Sequence, residues 1–239
     1  MVNVVIPLAG KDKRFEERNV FKSFVKIEKK PLIKFCTDSL KYPFNEKNLK
    51  LYFVILKEHD EKYSVHKKLK ELYPFSKVII IDKMTEGAAC TVLKAKDYIN
   101  NDEELIIYLA DIFFQVDLKK RISEKSDADG LLTTFKNNKC KYSYALEKNK
   151  RVIQVAEKSV ISDNASTGLY YFKQGKLFVE SAEEMILTDE NRAGNGAKKW
   201  FFICPVYNGL IKKGYNVEII PTDFEFDLGD DSFIKKYLD

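Results

Sequence analysis

The sequence lacks the features that mark membrane-inserted or secreted proteins. No apolar stretch approaches the roughly 18 to 20 residues that a membrane-spanning helix requires. The start of the chain does not combine a basic segment, an apolar region and a small-residue cleavage site. The four cysteines (Cys36, Cys90, Cys140 and Cys204) are widely separated and include no C-x-x-C pair. This spacing is typical of thiols in a reducing compartment, so we expect a cytoplasmic protein with no membrane partner.

Histidine and arginine are scarce as well. The only histidines are His59 and His66, and no Ser-His-Asp or Cys-His arrangement stands out around them. The net charge of +5 comes from 41 basic and 36 acidic residues, but most of the basic residues are lysines scattered along the chain. Nucleic-acid-binding proteins usually concentrate arginine and aromatic residues on one face. The composition therefore argues against a nucleic-acid partner.

The first 110 residues alternate between apolar runs and segments with helical spacing. This βαβα alternation predicts an α/β fold with three layers (α/β/α), in which helices cover both faces of a mostly parallel, Rossmann-like sheet. The predicted strands are Val2–Leu8, Leu51–Leu56, Val78–Ile81 and Leu105–Leu109, and the predicted helices are Pro31–Tyr42, Asp60–Leu72 and Ala88–Tyr98.

The second half predicts short strands separated by turns, which suit antiparallel additions to the same sheet. We see no linker or repeat and predict a single domain over residues 1–239, with a nucleotide-binding half (1–115) and an acceptor-binding half (116–239). The predicted strands are Leu131–Phe135, Ser143–Leu146, Val152–Val155, Leu169–Phe172 and Asn216–Ile220; the helices are Leu177–Leu187, Trp200–Lys213 and Asp231–Leu238; and Gly194–Lys199 is a mobile loop.

A cationic loop follows the first predicted strand. Glycine lets the backbone approach a ligand closely, backbone N–H groups can donate to it, and lysine and arginine supply positive charge. Ligands of open α/β sheets bind just beyond the carboxyl ends of the strands. The loop is thus a candidate phosphate site, although an ordinary surface turn would also be basic in so lysine-rich a chain. Its candidate residues are Leu8, Ala9, Gly10, Lys11, Lys13 and Arg14.

Two aspartates are candidate metal ligands. Asp111 follows the apolar strand LIIYLA, where a cation that bridges phosphates would need an oxygen ligand. Asp227 stands among apolar residues, and a partly buried carboxylate is costly unless it is paired or metal-bound. Mg²⁺ is usually held by one or two carboxylates together with substrate phosphates. The pair predicts a Mg²⁺ site, with a capping or turn role for Asp111 as the alternative.

A turn of small residues, from Thr85 through Glu86 and Gly87 to Ala88, lies between a predicted strand and a predicted helix. Small residues leave room for a flat base against the backbone, whose N–H and C=O groups can read the base's edge. They could equally serve tight packing of the helix on the sheet.

Six segments of the chain, in this order, resemble the sugar-phosphate nucleotidylyltransferases. They are VVIPLAGKDKRF, FKSFVKIEKKPLI, TEGAACTVLKAKDYI, LIIYLADIFF, VAEKSVISDNASTGLYYF and FDLGDDSFIKKYL. The acceptor half resembles the small cytidylyltransferases of capsule pathways, which include enzymes that act on phosphoglutamine. The resemblance implies transfer of a nucleoside monophosphate from a nucleoside triphosphate, CTP being favoured, to a phosphorylated small molecule. The acceptor would be phosphoglutamine or a sugar phosphate, and pyrophosphate would be released, in capsule or surface-polysaccharide biosynthesis.

The resemblance also assigns roles to cationic residues. It implies that Arg14 holds the leaving phosphates with Lys11 or Lys13, that Lys22 steadies charge at the α-phosphate, and that Lys158 neutralises the acceptor phosphate. From the residues alone, a solvated surface charge is the ordinary role of such a lysine.

The remaining assignments concern the metal, the base and the acceptor. The resemblance makes Asp111 and Asp227 the Mg²⁺ ligands and the turn at 85–88 the base-recognition segment, and it places Glu157 and Gly168 in the acceptor site.

The chain departs from the family pattern in places. Lys11-Asp12-Lys13 stands where the family has Gly-x-Gly-Ser or Gly-x-Gly-Thr, and Asp230 replaces a threonine. Two other functions therefore stay open. One is a glycosyltransferase that uses a nucleotide-sugar, although such enzymes usually carry Asp-x-Asp and this chain has Asp111-Ile112-Phe113. The other is a non-catalytic nucleotide-binding regulatory protein.

Overall fold

The computed structural model describes residues 1–194, 199–222, 225–228 and 230–238. Strands and helices alternate along the first half, and strands predominate in the second. The strands are β1 (Val2–Leu8), β2 (Lys26–Ile27), β3 (Lys30–Pro31), β4 (Leu49–Leu56), β5 (Lys77–Ile81), β6 (Leu105–Tyr108), β7 (Ile112–Phe114), β8 (Gly130–Lys136), β9 (Ser143–Lys148), β10 (Arg151–Glu157), β11 (Asn164–Phe172), β12 (Val217–Pro221) and β13 (Glu225–Asp227). The helices are α1 (Lys13–Glu16), α2 (Leu32–Ser39), α3 (Lys57–Tyr63), α4 (Val65–Leu72), α5 (Ala88–Val92), α6 (Lys96–Ile99), α7 (Leu118–Ser123), α8 (Gly175–Leu187), α9 (Val206–Lys212) and α10 (Asp231–Tyr237).

The main sheet has the strand order β10-β9-β11-β6-β1-β4-β5, with β8 pairing to β11 and β12 pairing to β8. Strand β1 is parallel to both β4 and β6, and β4 is parallel to β5. Strand β11 is antiparallel to β6, β8 and β9. The predicted fold class is confirmed: the first half forms a parallel sheet, and the second half extends it with mostly antiparallel strands, although β12 runs parallel to β8.

Buried side chains cover both faces of this sheet. Alternate residues of β1 point to opposite faces, so Val4 and Ile6 join one apolar cluster and Val5 joins the other. Strand β4 divides in the same way, with Phe53 on the first side and Val54 on the second. Continuous apolar runs such as LYFVIL are what a strand covered by helices on both faces requires.

Three predicted helices differ from the structure. The predicted helix Asp60–Leu72 is two helices, α3 and α4, because Ser64 between them adopts a left-handed conformation with φ of +53°. The predicted helix Ala88–Tyr98 is α5 and α6 joined by a 3₁₀ turn. The predicted helix Trp200–Lys213 is wrong in its first turns: only Val206–Lys212 is helical, because Trp200 instead pairs its backbone with Ala193.

Other features were not predicted or cannot be compared. The short strands β7 and β13 pair antiparallel, with Asp227 opposite Ile112, and form a separate two-stranded sheet. The predicted mobile loop Gly194–Lys199 falls largely outside the described residues, since 195–198 are not among them. Within the part of the chain that the structure describes, no helix is long and apolar enough to cross a membrane.

Candidate active site

A cavity of about 550 Å³ opens at the carboxyl ends of β1 and β6. Its wall includes three groups of residues that the sequence singled out: the end of β1 and its loop, the turn before α5, and the charged residues of the predicted reaction centre. Ten of these line the cavity: Leu8, Ala9, Gly10, Lys11, Lys22, Thr85, Gly87, Ala88, Asp111 and Lys158. The other predicted site residues lie outside that wall; they are Lys13, Arg14, Glu86, Glu157, Gly168 and Asp227.

The cations of the loop after β1 are engaged by carboxylates. The Arg14 guanidinium donates from Nε to Asp12 Oδ1 at 3.0 Å and from Nη2 to Asp12 Oδ2 at 2.7 Å. The Lys11 ammonium lies 2.6 Å from Glu58 at the start of α3. Gly10 has open space around it, because a Cβ built there would meet nothing within 4 Å. The loop is therefore accessible to phosphate, but a phosphate must compete with these two carboxylates for the cations.

Asp12 is ionised, and both of its carboxylate oxygens accept hydrogen bonds from Arg14. Its side chain also accepts a hydrogen bond from the Arg14 backbone N–H at 3.1 Å, which caps α1. Partial burial opposes ionisation, but the hydrogen bonds and charge of Arg14 outweigh it and hold the pKa of Asp12 below its ordinary value. Asp12 thus fixes the position of Arg14 where the resembling family has small residues.

The turn before α5 is built against a distant segment. The Phe201 N–H donates to the Glu86 carbonyl at 2.8 Å, and the Ala89 N–H donates to the Phe201 carbonyl at 3.0 Å. Gly87 has a φ of +133°, and a Cβ there would lie 2.3 Å from the Phe201 carbonyl oxygen. Thr85 Oγ1 donates to the Gly87 carbonyl at 2.9 Å. The small residues therefore allow tight packing against Phe201, and Thr85, Gly87 and Ala88 also line the cavity.

Arg192 fastens the same two segments together. Its guanidinium lies 2.8 Å from Glu86, hydrogen-bonds to Asp189 and lies 4.1 Å from the centre of the Phe201 ring. Ala193 and Trp200 exchange backbone hydrogen bonds at 3.0 and 2.8 Å. We call the segment from Arg192 to Phe202 the strap, of which residues 195–198 are not described.

Asp111 and Lys22 form an ion pair in the cavity wall. The Lys22 ammonium lies 2.6 Å from Asp111 Oδ1, and the Asp111 side chain is 58% exposed. Ala110 has a φ of +54° although it is not glycine, a conformation that costs energy and is often found at functional sites. The left-handed backbone at Ala110 changes the direction of the chain after β6 and places Asp111 in the cavity wall.

Asp227 lies beside Asp111 through the pairing of β7 with β13. The Leu228 N–H donates to the Asp111 carbonyl at 3.0 Å. Asp227 Oδ2 accepts hydrogen bonds from the Lys141 ammonium at 2.6 Å and from the Tyr142 hydroxyl at 2.9 Å. Partial burial works against the charged ammonium, but the hydrogen bonds to Asp227 and Asp230 raise the pKa of Lys141 above its ordinary value.

The donor set of this place fits Mg²⁺. Among the described residues, no group of three or more His, Cys, Asp or Glu side chains could hold a metal alone. Mg²⁺ commonly uses one or two carboxylates, with phosphate oxygens completing its coordination. Asp111 and Asp227 would hold the ion, which would neutralise negative charge on bound phosphates.

Glu157 is the last residue of β10, and Lys158 follows it. Burial raises the pKa of Glu157 to about 7, partly offset by a hydrogen bond from the Ser143 hydroxyl. Lys158 has a φ of +54°, and its ammonium lies 5.0 Å from the centre of the Phe202 ring. Gly168 has a φ of +83°, and its carbonyl accepts a hydrogen bond from the Leu109 N–H at 2.9 Å. Gly168 therefore supports the cavity wall from behind.

Several residues of the cavity wall were not predicted. His59 and Tyr63 are buried, and His59 Nδ1 and the Tyr63 hydroxyl have no hydrogen-bond partner in the described part of the chain. Burial lowers the pKa of His59. Trp200 and Phe202 of the strap form an aromatic part of the wall. Their aromatic character was the available signal, but the segment has apolar spacing typical of a helix.

Comparisons with known proteins bear on the family and the fold of the chain. Residues 16–197 match the family model described as nucleotidyl transferase, a range that includes Lys22, Asp111 and Lys158. A nucleoside-diphosphate-sugar pyrophosphorylase from Vibrio cholerae RC9 superposes with a TM-score of 0.78 at 24% identity, over 100% of this chain and 99% of that one. An inositol-1-phosphate CTP transferase from T. maritima superposes with a TM-score of 0.71 at 14% identity, over 98% and 93%. At these identities the two structures establish the fold. No curated protein sequence matches the chain significantly.

Proposed function

Because this chain belongs to the nucleotidyl transferase family, we propose that it is a cytidylyltransferase that joins CMP from CTP to a phosphorylated small molecule and releases pyrophosphate. The observation that carries the proposal is the meeting of Lys22, Asp111 and Lys158 in one cavity wall with the loop after β1 and the turn before α5. We propose phosphoglutamine or a sugar phosphate as the acceptor, and capsule or surface-polysaccharide biosynthesis in the cytoplasm as the setting.

An oxygen of the acceptor phosphate attacks the α-phosphorus of the triphosphate. The new P–O bond forms as the bond between the α-phosphorus and the β-bridging oxygen breaks, and pyrophosphate leaves with the electron pair. A phosphate oxygen is already ionised at neutral pH, so no general base is needed. Catalysis then depends on positioning and on charge stabilisation.

The loop after β1 holds the leaving phosphates in this proposal. Arg14 leaves Asp12, and Lys11 leaves Glu58, when each binds phosphate oxygens. The Lys11–Glu58 pair is exposed, so it can open readily. Backbone N–H groups around Gly10 add donors without a side chain in the way. Lys13, on the exposed start of α1, adds charge beside them.

In this proposal, Lys22, Asp111 and Asp227 act at the α-phosphate. The Lys22 ammonium, now beside Asp111, stabilises the negative charge that develops on the α-phosphate oxygens. Asp111 and Asp227 would hold Mg²⁺, which would neutralise negative charge on the triphosphate and the acceptor phosphate.

Two other segments bind the base and the acceptor. The cytosine lies against the turn formed by Thr85, Glu86, Gly87 and Ala88, whose shape is fixed by the strap. Lys158 neutralises the acceptor phosphate, and Glu157 hydrogen-bonds the organic part of the acceptor near Gly168.

Ligand-induced stabilisation tests the donor. CTP, UTP, dTTP, ATP and GTP are each added with and without Mg²⁺, and the unfolding temperature is measured. A ligand at 100 times its Kd adds about 2.7 kcal/mol, which raises the unfolding temperature by several degrees. We expect a Mg²⁺-dependent shift that is largest for CTP, lost in Arg14→Met and kept in Arg121→Met, which changes a surface arginine paired with Glu124. A larger shift with another triphosphate would contradict the CTP assignment, and no shift with any would contradict the transferase.

A further inference from the structure

Lys141 has no role in the proposed mechanism, and its ammonium forms ion pairs with two carboxylates. It lies in the loop between β8 and β9, and its ammonium is 2.6 Å from Asp227 Oδ2 and 3.0 Å from Asp230 Oδ2. The Asp227 side chain is only 15% exposed. The neighbouring Tyr142 hydroxyl donates to the same oxygen of Asp227 at 2.9 Å. Asp227 thus has an ammonium and a hydroxyl donor on the same oxygen.

The arrangement repeats the one at the first carboxylate. Lys22 lies 2.6 Å from Asp111 Oδ1, as Lys141 lies 2.6 Å from Asp227 Oδ2. Each candidate metal ligand therefore carries a lysine ammonium. Lys136 and Asp163 form an ordinary pair for comparison, in which both side chains are largely exposed at 72% and 69%. Solvent screens such an exposed pair, whereas the Asp227 pair is screened less.

We propose that the Lys141 ammonium competes with the divalent cation for the Asp227 carboxylate. This inference rests on the metal site of the proposed function. An ammonium and a divalent cation repel each other, so an ammonium beside the Asp227 carboxylate would weaken the binding of a cation there. Asp230 provides the place to which the displaced ammonium turns, since it already lies 3.0 Å from Lys141. The cation then binds weakly to the free protein and firmly only when triphosphate oxygens complete its coordination.

The competition has a physical consequence for the order of binding. The free protein keeps its carboxylates neutralised by its own lysines and gains little from a metal alone. Triphosphate adds negative charge and oxygen ligands, which tips the balance toward the metal. The cation therefore enters together with the nucleotide, and the reaction centre is charged correctly only when substrate is present.

Manganese binding in the absence of nucleotide tests the proposal. The free Mn²⁺ signal is measured by electron paramagnetic resonance during titration of the full-length protein. Lys141→Met removes the charge and keeps the length of the side chain, and we expect it to bind Mn²⁺ about tenfold more tightly than the unaltered protein. Lys141→Arg keeps the charge and should restore the weak binding. Lys136→Met, which breaks the exposed pair with Asp163, should leave the affinity unchanged.

A second variant tests the same competition with the opposite sign. Asp230→Asn removes the alternative partner of Lys141, so the ammonium stays on Asp227 and Mn²⁺ should bind more weakly than to the unaltered protein. Circular dichroism and urea unfolding confirm that each variant is folded.

Unchanged or weaker Mn²⁺ binding in Lys141→Met overturns the inference, because Lys141 would then orient Asp227 rather than compete for it. Pyrophosphate release from CTP is measured separately. If the unaltered protein releases no pyrophosphate but Lys141→Met binds Mn²⁺ more tightly, only the proposed function is contradicted. If pyrophosphate is released normally but Lys141→Met binds Mn²⁺ with unchanged affinity, only the inference is contradicted.

Discussion

Replacing Gly87 by alanine tests the coupling between the turn before α5 and the strap. Gly87 has a φ of +133°, and its added Cβ would lie 2.3 Å from the carbonyl oxygen and 2.6 Å from the nitrogen of Phe201. Both contacts are to backbone, so no flexible side chain can move aside. The Phe201 segment must shift, and its hydrogen bonds with Glu86 and Ala89 are lost or lengthened.

The expected cost has two parts. A non-glycine residue in this backbone conformation costs about 1–3 kcal/mol, and two backbone hydrogen bonds contribute about 1 kcal/mol each. Gly87→Ala should therefore lower the free energy of unfolding by about 3–5 kcal/mol. Gly214→Ala is the matched control, since Gly214 has a φ of +85° but nothing lies within 4 Å of its Cβ position. That variant pays only the conformational strain, about 1–2 kcal/mol.

Urea unfolding and CTP titration separate the two effects. We expect Gly87→Ala to unfold at clearly lower urea than Gly214→Ala and to bind CTP several-fold more weakly, because the base-binding turn moves with Phe201. Gly214→Ala should bind CTP as the unaltered protein does. Equal stability of the two variants together with unaltered CTP binding by Gly87→Ala would refute the reasoning.

Three further perturbations address separate parts of the site. Asp111→Asn should slow turnover roughly 10³-fold with little loss of stability. Asp163→Asn removes an exposed ion-pair partner and should leave turnover unchanged. Pyrophosphate release measures both variants, and normal turnover by Asp111→Asn contradicts the role of Asp111. Arg192→Met should weaken CTP binding several-fold by calorimetry, because Arg192 joins Glu86 to the strap, and an affinity equal to that of the unaltered protein rules this out. Burial raises the pKa of Glu157 from 4.5 to about 7, so the unfolded chain releases this proton first as pH rises. Stability from this group is full below about pH 4.5 and falls by roughly 3 kcal/mol toward pH 7; urea unfolding of Glu157→Gln should lack this fall, and an equal fall would exclude Glu157 as its source.

The fold could be predicted where a local pattern is decisive. The apolar runs of β1 and β4 are too short for helices and too continuous for exposed strands, so the parallel sheet follows from them. The end of β1 and Asp111 could be placed at the site because ligands gather at the carboxyl ends of parallel strands. The helix from Asp60 was predicted as continuous because no glycine or proline marks the left-handed residue Ser64.

The rest of the site depends on contacts between distant parts of the chain. Phe201 was predicted as helical from its apolar neighbours, but its backbone pairs with Glu86, a residue 115 positions earlier. Lys141 is one of many lysines, and nothing in its local sequence shows that Asp227 and Asp230 lie beside it. Arg14 was predicted to be a phosphate ligand, but its pairing with Asp12 follows from the geometry of α1.

Transfer of label from CTP tests the central claim most directly. CTP labelled at the α-phosphate is incubated with the protein, Mg²⁺ and phosphoglutamine or a panel of sugar phosphates, and both labelled product and pyrophosphate are counted. The account predicts that label appears on the phosphorylated acceptor in equal amount to pyrophosphate, and that Asp111→Asn slows the formation of both roughly 10³-fold. Release of labelled CMP without transfer, or label that stays on CTP with every acceptor, would contradict it.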